Sequence, residues 1–169
     1  MKPLGVVLLV AVASSCIVDR PSMRPLGVGD EVPNFGAESL DGDSISLADL
    51  RGTPLLLNLW ATWCVPCRTE MPELQEISEK YEGSLEVIGV SIDQPGTQEA
   101  VRGFLADVGA DFRILLDPEQ RAVRSFTTVG VPETFLVDSE GVVRARWIGR
   151  FFPFEEANLA LIESVLDLS

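Results

Sequence analysis

Cys64-Val65-Pro66-Cys67 sets two thiols three residues apart in a chain with only three cysteines. Thiols at that spacing can close a disulfide on one another, so the pair can accept or supply two electrons. Its reactivity depends on where it sits. The preceding run Pro54-Leu55-Leu56-Leu57-Asn58-Leu59-Trp60 is almost continuously apolar, as a strand covered on both faces requires. After the motif, Cys67, Met71, Leu74, Ile77 and Tyr81 recur at helical spacing with charged residues between them. The dithiol is therefore predicted at the N-terminus of an amphipathic helix that Pro72 kinks one turn in. Unpaired N–H groups and the helix dipole favour a thiolate there, lowering the first thiol below its free pKa of about 8.5. Cys64 is the candidate nucleophile toward a partner's disulfide, and Cys67, one turn inside the helix, the thiol that resolves the mixed disulfide.

Two plainer readings of the pair are half of a zinc site and an inert structural disulfide. A structural zinc site needs four ligands, and the chain has no second Cys-x-x-Cys and no histidine. The lack of histidine also excludes Ser-His and Cys-His nucleophile pairs and any imidazole metal site. No metal and no bound cofactor is expected; the redox group is the Cys64–Cys67 disulfide itself. A copper carrier using the two thiolates without redox turnover is the alternative from a non-enzyme class, weakened by the missing imidazole ligands.

The elements that must hold the dithiol can be read in order. Phe35 to Leu40 and Ser44 to Leu47, separated by Asp41-Gly42-Asp43, predict an N-terminal β-hairpin. Leu85 to Ile92 predicts a second buried strand, Gln98 to Val108 a helix, and Ile114 to Leu116 a short strand. Asp117, Pro118 and Gln120 resemble a helix cap, a first-turn proline and an approximate capping box, so a helix is expected from Asp117 to about Phe126. Glu133 to Val137 and Val142 to Ile148 are strands joined by Asp138-Ser139-Glu140-Gly141, and a final helix is expected from about Phe154 to Leu166. Strands alternating with helices, then a hairpin before the last helix, predict an α/β protein with a mixed central sheet flanked by helices, in the thioredoxin order.

At the start, Lys2, an apolar run from Leu4 to Ala13, and Ser14-Ser15-Cys16 have the layout of an export signal too short to span a bilayer comfortably. Small residues leading into a cysteine resemble the lipobox of a bacterial lipoprotein. Residues 1–15 are then the signal, Cys16 the lipid anchor, residues 16–29 a Pro- and Gly-bearing tether, and residues 30–169 one domain in an extracytoplasmic compartment. The composition, 46% hydrophobic and 23% charged, suits one soluble domain on that anchor. A formal net charge of -13 sets any phosphate-binding surface against the overall field, so nucleic acid is not an expected partner. A monomer is expected.

Trp60-Ala61-Thr62-Trp63-Cys64-Val65-Pro66-Cys67-Arg68, followed by Glu70-Met71-Pro72, resembles the TlpA/ResA family of extracytoplasmic thiol-disulfide oxidoreductases. Gly130-Val131-Pro132-Glu133-Thr134-Phe135-Leu136-Val137-Asp138 is similar to the family's second motif, whose proline is cis and faces the dithiol. The resemblance makes Pro132 the cis-proline and Val131 the residue whose backbone pairs with an extended substrate, with Trp63, Val65 and Pro66 completing the contact surface. It implies a thioredoxin fold with a central insertion, here Gln94 to Glu119, and reduction of disulfides in exported proteins whose thiols bind haem or copper. Electrons would come from a membrane thiol-reductant carrier. Members adapted to apocytochrome c often carry glutamate inside the dithiol motif and after the next strand, where this chain has Val65 and Asp93-Gln94. Peroxidase chemistry on a similar fold would need threonine where Ala61 stands.

Asn58 stands where minimal thioredoxins bury an aspartate, and an amide cannot take the proton of Cys67. Glu70, Asp93 and Glu133 are the candidate acceptors, with Asp93 ranked first; the plainer reading of each is a solvated cap or loop acid. Trp60 is expected in the core and Trp63 on an exposed apolar rim. The cluster Phe151-Phe152-Pro153-Phe154 is read as a staple for the last helix.

Overall fold

The computed structural model describes residues 24–166. The signal, Cys16 and most of the tether lie outside the described residues. No helix among the described residues is long and apolar enough to cross a membrane.

Seven strands form one mixed sheet: β1 Gly36–Ser39, β2 Ser44–Ser46, β3 Leu55–Trp60, β4 Glu86–Ser91, β5 Arg113–Leu116, β6 Glu133–Val137 and β7 Val143–Ile148, in the spatial order β2-β1-β5-β4-β3-β6-β7. The hairpin β1–β2 and the closing β6–β7 hairpin lie where the turn residues predict them. β3 runs parallel to β4 and antiparallel to β6, and all six of its residues are buried, as its unbroken apolar run requires. Four helices cover the sheet: α1 Val65–Lys80, α2 Gln98–Val108, α3 Arg121–Phe126 and α4 Glu156–Val165. α1 carries Pro72 within it. The central insertion supplies α2 and β5; β5 pairs with β4 and with β1, joining the N-terminal hairpin to the main sheet.

The sheet's two faces bury separate cores. Leu55, Leu57 and Leu59 of β3 join Ile88, Val90, Phe126 and Phe135 on one side; Leu56 and Trp60 join Cys64, Cys67, Met71, Leu74, Ile77, Phe104 and Phe151 on the other. The two-residue period of β3 thus puts Asn58 on the α1 face, beside Thr134 of β6 in register.

Two boundaries differ from expectation. α3 begins at Arg121 and not at Asp117. Asp117 does cap it, but from further back: its Oδ1 accepts from the N–H of Arg121 at 2.9 Å and its Oδ2 from that of Ala122 at 2.7 Å. The chain turns through Gln120, whose φ is 54°, before the helix starts, so the expected capping box at Gln120 does not form. The domain also begins earlier than residue 30. Leu26 is buried, its N–H bonds the carbonyl of Phe126 at 3.0 Å, and residues 29–32 run along the edge of β7 through Gly29 to Val143, Val143 to Asp30, and Val32 to Gly141. That segment covers the outer backbone edge at the start of β7.

Candidate active site at the dithiol

Cys64 occupies the N-cap of α1 with extended backbone (φ −84°, ψ 106°), and its Sγ accepts from the N–H of Cys67 at 3.2 Å. That bond uses one of the helix's four otherwise unpaired N–H groups, and Pro66 in the first turn has none to satisfy. The same N–H would meet a Cys64 thiolate in the reduced protein. Cys64 and Cys67 are joined as a disulfide with Cα atoms 5.3 Å apart. Both are buried, while Trp63 (65% exposed), Val65 (77%) and Pro66 stand out from the surface around them. Trp60 is fully buried against Phe104.

The three acids proposed as proton acceptors are all buried, so the reading of each as a solvated group fails. Their surroundings separate them. Asp93, at the end of β4, accepts from Thr62 N–H at 3.0 Å, from Thr62 Oγ1 at 2.7 Å and from Ser91 Oγ at 2.9 Å, which ties the β3–α1 connection to β4. Glu133 pairs with Arg146 and accepts from Val129 N–H at 3.2 Å. Burial holds its carboxyl above the ordinary value, against the opposing pull of Arg146.

Glu70 is the acid that meets Asn58. It follows Cys67 by three residues on the buried face of α1, a spacing that brings side chains together. Asn58 Nδ2 donates to Glu70 Oε1 at 2.8 Å and to Thr134 Oγ1 at 2.9 Å, and the N–H of Phe151 donates to Glu70 Oε2 at 2.9 Å. Burial pushes the Glu70 carboxyl up from 4.5 to about 7, outweighing those two hydrogen bonds and the nearby Arg150. Of the three acids Glu70 is the one that bonds Asn58, whereas the first-ranked Asp93 bonds Thr62 and Ser91.

Across from α1, the Val131–Pro132 peptide bond is cis. Glu133 pairs with Leu59, so Pro132 lies level with Trp60 at the end of β3 from which the chain leads to Cys64. Val131 is half-buried and packs on the core cluster that holds both cysteines. Pro132's carbonyl is taken by the N–H of Gly149 at 2.9 Å, whereas the backbone N–H and C=O of Val131 have no partner among the described residues.

Three contributions escaped the sequence reading. Phe151 serves the site through its N–H as well as packing on Trp147, with ring centroids 4.2 Å apart. Arg150 bonds Glu73 at 2.8 Å and lies over the ring of Phe152, holding the β7–α4 connection onto α1. Arg146 closes on Glu133. Asn58 and Thr134 did carry a signal: each is a polar residue inside an apolar strand on the same sheet face. Among the described residues no cluster of three or more cysteine and acidic side chains could hold a metal ion.

The comparisons with known proteins agree with this geometry. Residues 28–146 match the model of the AhpC/TSA family. The thiol-disulfide oxidoreductase ResA of Bacillus thuringiensis (strain Al Hakam) is 37% identical over 132 residues, covering 78% of this chain and 73% of that protein. The thiol:disulfide interchange protein DsbE of Pseudomonas fluorescens biotype C is 32% identical over 87% of this chain and 82% of its own length. A crystal structure described as a DsbE-type thiol:disulfide interchange protein from Chlorobium tepidum superposes with a TM-score of 0.75 at 32% identity, over 83% of this chain and 99% of that one. The chain thus belongs to the AhpC/TSA family and is a thioredoxin-fold thiol-disulfide oxidoreductase of the ResA/DsbE kind.

Proposed function

We propose that this oxidoreductase works as a membrane-anchored, extracytoplasmic reductant of disulfides in exported proteins, including thiols destined to bind haem or copper. The observation that carries the reading is a helix-capping Cys64 with Glu70 one turn beyond Cys67, its carboxyl raised to about 7. In the forward step the Cys64 thiolate attacks one sulfur of a client disulfide. A Cys64–client S–S bond forms and the client's other sulfur leaves as a thiolate. Cys67 gives its proton to Glu70, and its thiolate attacks the Cys64 sulfur. The Cys64–Cys67 disulfide forms, and the client's second thiolate leaves and is protonated. The client has gained two electrons. A membrane dithiol carrier restores the reduced pair, its own thiols closing to a disulfide.

An acid near neutrality can both take the Cys67 proton and return it on the next turnover, which a carboxyl at 4.5 would do poorly. The N–H and C=O of Val131, without a partner among the described residues, offer a client's extended segment one strand-like pairing beside the sulfurs, and Trp63, Val65 and Pro66 offer apolar contact. Val65 and Asp93-Gln94 leave the usual cytochrome signature incomplete, so the reading extends to copper-binding clients.

The purified protein should reduce a protein disulfide, and Cys64→Ser should abolish that; retained activity in the variant overturns the reading. The potential of the pair fixes direction: close to about -270 mV, as in thioredoxin, supports a reductant, whereas about -120 mV, as in DsbA, makes it an oxidant. For the anchor, Cys16→Ser should move the protein from the membrane fraction to the soluble one.

A further inference from the structure

Residues 127–130 lead into Val131 and carry Val129, an apolar side chain 61% exposed. A ring of hydrogen bonds closes around this loop. At its start, the carbonyl of Phe126 accepts from Leu26 N–H at 3.0 Å. The carbonyl of Leu26 accepts from Arg146 Nη1 at 2.9 Å, and Arg146 Nε donates to Glu133 Oε1. Glu133 Oε2 then accepts from the N–H of Val129 at 3.2 Å, back in the loop. Glu133 is completely buried and the Arg146 side chain only 13% exposed, so solvent screens this pair little. A planar guanidinium can serve two acceptors in fixed directions at once, which an ammonium cannot.

We propose that Arg146 and Glu133 are positioning residues for client recognition: they pin the loop entering Val131 to the N-terminal strap at Leu26, so that Val131 presents its free backbone groups at a set distance from Cys64. This rests on the reading of Val131 as the client-pairing residue. Neither side chain touches the sulfurs in this scheme. Their loss therefore slows reaction with an extended peptide disulfide and spares reaction with a disulfide too small to reach the loop. The strap has a second consequence: the N-terminal segment belongs to the recognition apparatus as well as to the connection with the anchor.

The test measures reduction of two disulfides by the full chain, hydroxyethyl disulfide and a short peptide with an intramolecular disulfide, together with the potential of the Cys64–Cys67 pair. In Arg146→Met the peptide rate should fall about ten-fold or more, as small displacements of a binding group produce, while the small-disulfide rate and the potential stay unchanged. Arg146→Lys keeps a charge opposite Glu133, so it guards against a variant that fails to fold; it loses the two-way fork and should lie between Met and the natural protein. Equal losses on both disulfides, a shifted potential, or no loss on the peptide each overturn the proposal. The docking reading has its own control: a peptide N-methylated beside its cysteine should react more slowly with the unaltered protein. If N-methylation costs nothing, Val131 pairing fails and this proposal with it; if it costs rate and the Arg146 variants do not, only the positioning role fails.

Discussion

The buried Glu70 carboxyl makes the stability of the fold depend on pH. Its shift from 4.5 to about 7 corresponds to roughly 3 kcal/mol of preference for the protonated form in the fold. Between those values the native protein holds a proton that the unfolded chain has released. Glu70's contribution to stability is therefore greatest below about pH 4.5, declines as pH rises to about 7, and is constant above. Urea denaturation at pH 5 and pH 8 should reveal this decline, and Glu70→Gln should remove most of it. Gln cannot accept the Cys67 proton, so the same variant should resolve mixed disulfides about a hundredfold more slowly. Asn58 can adapt to that change, because its Oδ1 is buried without a partner and can turn to accept from the new amide. Asp93→Asn separates the two acids. It weakens the hold on Thr62 and should cost about 1–2 kcal/mol, but should leave the pH dependence of resolution unmoved. A shifted profile in Asp93→Asn would restore Asp93 as the acceptor. Cys64 and Cys67 were legible as residues because their spacing alone specifies a chemistry. Glu70 was legible only as one of three acids, because burial is decided by what lies across the sheet.

At the scale of elements, the strands and helices follow the patterns that predict them: β3 is a short unbroken apolar run, and the buried face of α1 repeats at helical spacing. α3 departs because Asp117 can serve its N–H groups across a turn, and sequence spacing cannot reveal the conformation of the residues between. Gly89, in the middle of β4, is explained by neither pattern. It sits between Asn58 and Ile114 in register, and a Cβ there would lie 2.7 Å from Ile114 Cδ1, 2.9 Å from Trp60 Nε1 and 3.2 Å from Phe112 Cε2. The absent side chain lets the ring of Trp60 and the residues of β5 close over the strand. Gly89→Ala should cost about 1–3 kcal/mol, seen as a lower urea midpoint with an unchanged slope. An unchanged midpoint would mean that β5 and its neighbours yield without penalty.

Over the whole molecule, the net charge of -13 acts on every client before contact. A peptide disulfide with added lysines should react faster than its glutamate counterpart at low salt, and the gap should narrow as ionic strength rises past the point where the screening length falls below about 10 Å. Equal rates at low salt would show that the field does not reach the dithiol. The formal charge, like the Cys-x-x-Cys spacing and the strand and helix periods, follows from residue types and their order alone, and these the sequence by itself determined. The tertiary structure decided which acid meets Asn58, that Leu26 packs with the domain, and that Arg146 joins the strap to the loop before Pro132. Each of those depends on groups distant in the chain meeting in a buried place, Asn58 with Glu70 and Thr134, Leu26 with Phe126 and Arg146. Burial and hydrogen-bond satisfaction are set by the packed whole, so no local pattern of residue types contains them.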